Sequence, residues 1–161
     1  LIDGMCGSGT IAIEAALLAN NVPPGIFRQE FGFMRWRNYD ANLFELITES
    51  AVNKIKENEL DIVANEIYEP TVKKMQTNLK NAKLQDVIQV SNKNFFDLNT
   101  DRKNGFIILN PPYGERIEKQ EIADFYKQIG DKLKKDFAGF TCWIITSSAE
   151  GFKNIGLRPT R

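Results

Sequence analysis

The strongest candidates for binding or catalytic residues are Asn110–Tyr113 (Asn-Pro-Pro-Tyr), directly after the apolar run Phe106–Leu109. An apolar run followed by two prolines predicts a buried strand that ends in a rigid loop. Within that loop the amide of Asn110 offers an acceptor and donors, and the ring of Tyr113 offers a stacking face. This pair suits a flat, hydrogen-bonding group such as a nucleobase with an exocyclic amine. A proline-rich turn whose Asn caps the backbone and whose Tyr packs fits these four residues equally well.

A glycine-rich loop occupies residues 3–10 (DGMCGSGT), between a strand end and a helix. Glycines let the backbone approach a ligand closely, and a helix N-terminus offers free N–H groups. No Lys follows Gly9, so a Walker phosphate loop is excluded. Gly7, Gly9 and Ala12 satisfy the relaxed dinucleotide pattern, but the acid expected about 20 residues further on is missing. The next acid at a strand end is Glu66, so dinucleotide binding stays open only as a minor alternative.

Two further acids follow predicted strands. Glu66 closes an apolar run and could accept both hydroxyls of a ribose, although a solvated Glu before a helix is the simpler interpretation of that residue alone. Asp97 follows the third strand and could accept from an adenine amino group, with Phe95 or Phe96 against the ring. We expect at least one of these two rings to pack in the core instead. Together, the glycine loop, the two acids and Asn-Pro-Pro-Tyr follow successive strands.

Apolar periodicity predicts strands that alternate with helices. Strands are predicted to end at Leu1–Ile2 and to cover 60–66, 87–91, 106–109 and 140–146, and helices to cover 10–20, 41–58, a segment from Glu69 and a segment around 122–133. We expect the helix over 10–20 to be largely buried and the helix over 41–58 to be amphipathic, while 21–39 should be irregular. This alternation implies a doubly wound α/β fold with a mostly parallel sheet, whose ligands lie at the carboxyl ends of the strands.

Composition limits the classes of function. The 161 residues fit one domain, and 21 Lys and Arg balance 21 Asp and Glu, which argues against a nucleic-acid binder that acts without another domain. The absence of His excludes His-based triads and most zinc sites, so no metal is expected. No apolar run long enough for a membrane span and no signal sequence is present, and we expect a cytoplasmic protein. Cys6 and Cys142 are expected to be small packing residues rather than nucleophiles of the kind used in pyrimidine C5 methylation.

The order of these motifs resembles that of class I S-adenosylmethionine-dependent methyltransferases that modify exocyclic amines. More closely, Asp3–Ala16 (DGMCGSGTIAIEAA), Phe31–Trp36 (FGFMRW) and Asn110–Arg116 (NPPYGER) are similar to the THUMP-associated RNA methylases. Bacterial large-subunit ribosomal RNA guanine-N2 methyltransferases belong to that group. The resemblance covers nearly the whole chain, and its first and last motifs are specific.

The resemblance implies an S-adenosylmethionine cofactor and roles for individual residues. The methionine side of the cofactor would lie against Asp3, Cys6, Gly7 and Gly9, the ribose against Glu66, the adenine against Asp97, and the target base against Asn110, Pro111, Pro112 and Tyr113. The family usually has Pro at the position of Gly4, so this loop is expected to be less rigid. At the second strand the family's Gly-Ser/Cys-Asp is replaced by Ala64-Asn65-Glu66.

The implied reaction is methylation of an exocyclic base nitrogen in RNA, at guanine N2 of large-subunit ribosomal RNA. Adenine-N6 or other amine methylation is the first alternative, and a non-catalytic cofactor-binding module is the second. The family also implies that RNA is held by an N-terminal RNA-binding domain before Leu1, and that a strand pair follows Arg161. Three arginines, Arg28, Arg35 and Arg37, lie among aromatic residues and either contact RNA or flank a loop that packs its rings into the core.

Overall fold

The computed structural model describes residues 1–112 and 119–160. Five parallel strands form one sheet: β1 Ile2–Asp3, β2 Ile62–Asn65, β3 Ile88–Ser91, β4 Gly105–Leu109 and β5 Phe140–Ile144. Five α-helices alternate with them: α1 Thr10–Ala19, α2 Ala41–Val52, α3 Glu69–Asn81, α4 Lys119–Asp136 and α5 Ala149–Asn154. Short 3₁₀ helices lie at Gly32–Arg35 and Phe95–Asp97.

The strand order is β3-β2-β1-β4-β5, which confirms the doubly wound sheet. The chain runs outward from β1 through β2 to β3 and then returns to the other side of β1. Ligands in such sheets bind outside the carboxyl ends of the strands where the order reverses, which here is between β1 and β4. Ile2 pairs with Ile107, and the N–H of Gly4 donates to the Ile108 carbonyl at 2.9 Å. The loops that follow β1 and β4 therefore start side by side.

The core consists of two clusters on opposite faces of the sheet. On one face, α1 and α3 cover β2 and β3 with Ala12, Ala16, Val72, Met75 and Leu79. On the other face, α4 covers β1 and β4, where Ile2, Ile107, Leu109, Ile129 and Leu133 meet. The short strands are buried on these faces because helices lie on both sides, as in other parallel sheets.

Two helices differ from the expectation. Only Ala12 and Ala16 of α1 are buried, and Leu18 is 81% exposed, so the prediction of a largely buried helix is wrong. Ala12 and Ala16 lie on the side of α1 that packs against β2 and α3. The helix predicted over 41–58 ends at Val52, and none of its residues is buried; Leu43 and Ile47 of its apolar stripe are more than half exposed.

Within residues 1–112 and 119–160, no helix combines the length and apolar character needed to cross a membrane.

Candidate functional site

A cavity of about 580 Å³ lies at the carboxyl ends of the strands. Its walls come from the loop after β1 and the start of α1, from residues 65–67 after β2, from residues 93–96 after β3, and from Asn110 and Pro112 after β4. Phe125 of α4 completes the lining. The loops that carry the predicted motifs therefore share one cavity.

Gly7 and Gly9 of the glycine loop have different surroundings. Gly7 has a φ of +56°, and a Cβ placed on it would meet no atom within 4 Å. Its left-handed backbone and the open space beside it suit close approach of a ligand to the main chain. Gly9 has a φ of +84°, is buried, and its Cβ would lie 2.9 Å from Cγ of Met75. Gly7 lines the cavity, whereas Gly9 lets α1 pack closely against α3 and does not line it.

The loop is held through hydrogen bonds on both sides. The N–H of Gly4 donates to the Ile108 carbonyl, and the N–H of Cys6 donates to the Asn65 carbonyl, each at 2.9 Å. The side chain of Asn78 donates to the Ser8 carbonyl at 3.0 Å. The loop is thus tied to β4, β2 and α3 despite carrying glycine at position 4.

Asp3, at the end of β1, is fully buried, and neither of its carboxylate oxygens has a partner in hydrogen-bond geometry among the described residues. Burial raises the pKa of this carboxyl to about 7; the backbone N–H of Ala12 opposes the shift and the charge of Glu66 adds to it. Asp3 does not line the cavity, although Gly4 directly after it does. Its predicted contact with a cofactor stays a prediction.

Glu66 lines the cavity directly after β2. Its Oε2 accepts from the N–H of Gly7 at 3.0 Å, and its Oε1 accepts from the N–H of Tyr68 at 2.9 Å. Each carboxylate oxygen has further acceptor capacity beyond the one bond it makes here. The carboxylate is therefore held in place by backbone donors and remains able to accept from ligand hydroxyl groups.

Cys6 lines the cavity as a thiol. Burial raises its pKa to about 12, and the neighbouring charges of Asp3 and Glu66 act in the same direction. Its Sγ lies 3.3 Å from Sδ of Met75. Burial likewise raises the pKa of Cys142 to about 11. Neither thiol ionises at neutral pH, which agrees with packing roles and not with nucleophilic ones.

The loop after β3 brings Phe95 and Phe96 of its predicted residues to the cavity, but not Asp97. Asp97 is exposed at the end of the 3₁₀ helix and does not line the cavity, whereas Asn94, Phe95 and Phe96 do. Phe95 is 3% exposed and stacks on Phe137 in the core, with ring centroids 6.1 Å apart. Phe96 is half-buried. One of the two rings thus packs in the core, as expected, and the adenine role of Asp97 stays a prediction without a cavity position to support it.

The loop after β4 brings the amide to the cavity. Asn110 is exposed and lines the cavity, Pro111 is fully buried, and Pro112 again lines the cavity. The buried proline restricts the loop because its pyrrolidine ring fixes the backbone angle φ. Tyr113, the fourth residue of the motif, lies outside the described residues.

Sequence reasoning did not assign several residues that line the cavity. Ile67 is 61% exposed beside Glu66, and Lys93 and Asn94 precede the 3₁₀ helix. Phe125 falls in the helix predicted around 122–133, and its ring lies next to Phe96 with centroids 5.9 Å apart, so this helix also reaches the cavity. The signal for Ile67, Lys93 and Asn94 was their place at strand ends, where the topology puts ligands.

The aromatic residues of 31–44 neither line this cavity nor enter the two core clusters. They pack on each other around Phe33, whose ring centroid lies 5.2 Å from Phe31 and 5.3 Å from Phe44. Trp36 is 68% exposed, and Arg28 lies over the ring of Phe31 at 5.3 Å. The structure therefore supports packing within the segment, and an RNA contact there stays a prediction.

Within the described part of the chain, no group of three or more Cys, Asp or Glu residues is arranged to hold a metal ion.

The sequence pattern of the RMKL-like methyltransferase domain family matches residues 1–160. The Ribosomal RNA large subunit methyltransferase K/L of Shewanella oneidensis is 36% identical over 166 residues, which cover 100% of this chain and 23% of that protein. The chain spans about a quarter of the length of that relative.

Two solved structures share the fold. SMU.472, described as a candidate methyltransferase and crystallised with SAH, superposes with a TM-score of 0.87 at 28% identity over 99% of this chain and 42% of its own. A Listeria monocytogenes protein, described as a predicted N6-adenine-specific DNA methylase, superposes with a TM-score of 0.84 at 28% identity over the same shares. Both likenesses agree with the doubly wound arrangement described above.

Proposed function

The chain belongs to the RMKL-like methyltransferase domain family, and on that premise we propose that it binds S-adenosylmethionine and transfers the methyl group to an exocyclic base nitrogen in RNA. The observation that carries the proposal is the shared cavity. The glycine loop and Glu66 line one part of it, and Asn110 and Pro112 line another. A cofactor bound by the glycine loop and Glu66 would therefore lie in the same cavity as a base bound at Asn110 and Pro112.

The residues present fit S-adenosylmethionine. The cavity volume, about 580 Å³, lies within the range of small-molecule sites, roughly 300–1,000 Å³. Gly7 leaves room for the ligand at the main chain, and Glu66 offers an acceptor for ribose hydroxyls. Ile67 and Phe96 offer apolar surface for a purine ring. The carboxylate of Glu66 also suits a ligand that carries a cationic sulfonium and an ammonium group.

When bound, this cofactor supplies an electrophilic methyl group, and the chain's own residues have the task of aligning a nucleophile with it. An exocyclic base nitrogen is a weak nucleophile because its lone pair is delocalised into the ring. Asn110 Oδ1 and the carbonyl of Pro111 would accept its two N–H bonds and favour a more tetrahedral nitrogen. A flipped base costs a few kcal/mol to extrude, and stacking on Tyr113, at roughly 1–3 kcal/mol, would help to offset this.

Guanine N2 of large-subunit ribosomal RNA is the target we propose. It is supported by the name of the Shewanella relative, a large-subunit ribosomal RNA methyltransferase, and by the resemblance of the Asn-Pro-Pro-Tyr-Gly-Glu-Arg segment. The chain carries equal numbers of acidic and basic residues, so RNA affinity would have to come mainly from other parts of such a protein.

The direct test is mass spectrometry of nucleosides from ribosomal RNA of a strain that lacks the protein. N2-methylguanosine should fall by about one residue per large subunit and return when the wild-type protein is supplied. A variant with Asn110→Ala should fail to restore it. An unchanged N2-methylguanosine content would contradict the proposed target.

Adenine N6 is the second candidate, because the Listeria structure carries that description and superposes over 99% of this chain. The same digest distinguishes the two: loss of N6-methyladenosine from RNA or DNA, with N2-methylguanosine unchanged, would favour adenine.

A further inference from the structure

Asn65, the last residue of β2, combines near-complete burial with a place in the cavity wall. Its side chain is 1% exposed. Its Nδ2 donates to the carbonyl of Gly4 at 3.0 Å and to the carbonyl of Lys93 at 3.1 Å. Because both amide hydrogens are used, the orientation of the amide is fixed by its surroundings.

The two carbonyls belong to loops on either side of Asn65. The sheet order places β2 between β3 and β1. Gly4 starts the loop after β1, and Lys93 lies in the loop after β3; both line the cavity. The main chain of Asn65 adds a third link, since its carbonyl accepts from the N–H of Cys6 at 2.9 Å. One residue therefore joins three strand ends.

We propose that Asn65 is a positioning residue that sets the spacing between the Gly4 loop and the Lys93 loop, and with it the width of the cofactor part of the cavity. This inference rests on the proposed function. Asn65 acts through the two loops and takes no part in the methyl transfer itself.

The chemistry of the side chain supports this role over simple packing. Oδ1 is buried and has no partner among the described residues, which lowers stability. An apolar side chain would avoid that loss but would leave the carbonyls of Gly4 and Lys93 without their donor. A carboxylate of the same shape would present only acceptors to these two acceptors, and a serine could donate to just one of them.

The test compares Asn65→Asp, which keeps the shape and removes both donors, with Asn65→Ser, which keeps one. Leu79→Ala is the control, since Leu79 is 1% exposed in the α3 core and does not line the cavity. It lowers stability without touching either loop. Binding of S-adenosylhomocysteine is measured by calorimetry in the whole protein, at a temperature where all variants are folded. Turnover with S-adenosylmethionine is measured in parallel.

For Asn65→Asp we expect the affinity for S-adenosylhomocysteine to fall about tenfold. The apparent affinity falls in proportion to the fraction of molecules whose loops have the spacing needed for binding, and we expect this fraction to be about a tenth. KM for S-adenosylmethionine should rise by a similar factor, with kcat changed less than about twofold, and Asn65→Ser should be intermediate. Leu79→Ala should bind as the wild type does. Wild-type affinity in both Asn65 variants, or an equal loss in Leu79→Ala, would overturn the inference and leave the proposed function standing. Failure of the wild-type protein to bind would instead overturn the proposed function, and the inference with it.

Discussion

The loops after β1, β2 and β3 differ from the described part of the loop after β4 in what they bring to the cavity. The first three are bonded to one another: Gly7 to Glu66, Cys6 to Asn65, and Asn65 to Lys93. The loop after β4 instead presents an exposed Asn110 immediately before a fully buried proline. One part of the cavity is thus built from loops that are hydrogen-bonded to one another, whereas the described start of the loop after β4 presents the amide of Asn110 to it. Cofactor affinity should depend on the first part and turnover on the second.

The largest effect is expected at the β4 end. Asn110→Ala should lower kcat by about 10²–10³, the scale for loss of one positioned hydrogen-bonding group in a transition state. The affinity for S-adenosylhomocysteine should stay within about threefold. Asn104→Ala provides the control, because Asn104 is exposed at the opposite end of the same strand and should leave both quantities unchanged. Methyl transfer from labelled S-adenosylmethionine to unmodified ribosomal RNA measures kcat. An equal loss of affinity and kcat would erase the contrast between the two parts.

Asp3 should make stability depend on pH. Burial raises its pKa to about 7 from the ordinary value of 3.8, so between these two pH values the folded state binds more protons than the unfolded state. The free energy of unfolding that Asp3 contributes therefore falls as pH rises through this window and levels off above the folded pKa. From pH 5 to 8, the free energy of unfolding of the wild type should fall by about 2–3 kcal/mol relative to that of Asp3→Asn. Urea unfolding at each pH measures both proteins, and a difference that does not vary with pH would contradict the assignment.

Glu66→Ala should weaken S-adenosylhomocysteine binding by about 1.5–3 kcal/mol, because ribose hydroxyls would lose a charged acceptor and Gly7 its partner. Glu69→Ala removes an exposed acid from the start of α3, where it pairs with Lys73 at 2.8 Å. That control should change the affinity little. Calorimetry measures the affinity of both variants for S-adenosylhomocysteine. Similar losses in both would mean that Glu66 acts only through its negative charge and not through a contact with the ribose.

The smallest effect is expected at Cys6. Its raised pKa keeps it a thiol, so Cys6→Ser should lower kcat by less than about threefold. Cys142→Ser should behave similarly. A loss of several orders of magnitude in either variant would indicate a covalent step that the proposed reaction does not contain.

The sheet and the sites at its edge could be predicted because their signals are local. Glycines, a proline pair and acids mark the points where buried strands end, and parallel strands bring those points together. Glu66 and Asn110 were found in this way, and both line the cavity. Asp97 was assigned by its type and position; it is exposed and does not line the cavity, whereas Asn94 does, so its role stays a prediction.

The burial of the helices and the contacts of Asn65 could not be predicted, because both depend on neighbours that are distant in sequence. The apolar stripe of α2 indicates an amphipathic helix, but the stripe alone does not predict which other part of the protein packs against it. Asn65 was noted only as a departure from a family pattern. Its bonds to Gly4 and Lys93 require the strand order, which places β2 between the two loops.

Calorimetric titration of the wild-type protein with S-adenosylhomocysteine and, separately, with NAD tests the central claim most directly. The account predicts that S-adenosylhomocysteine binds at one site per chain and that NAD does not bind. Tight NAD binding without S-adenosylhomocysteine binding would contradict the account, because the glycine loop would then serve a dinucleotide and a base held at Asn110 would have no methyl donor beside it.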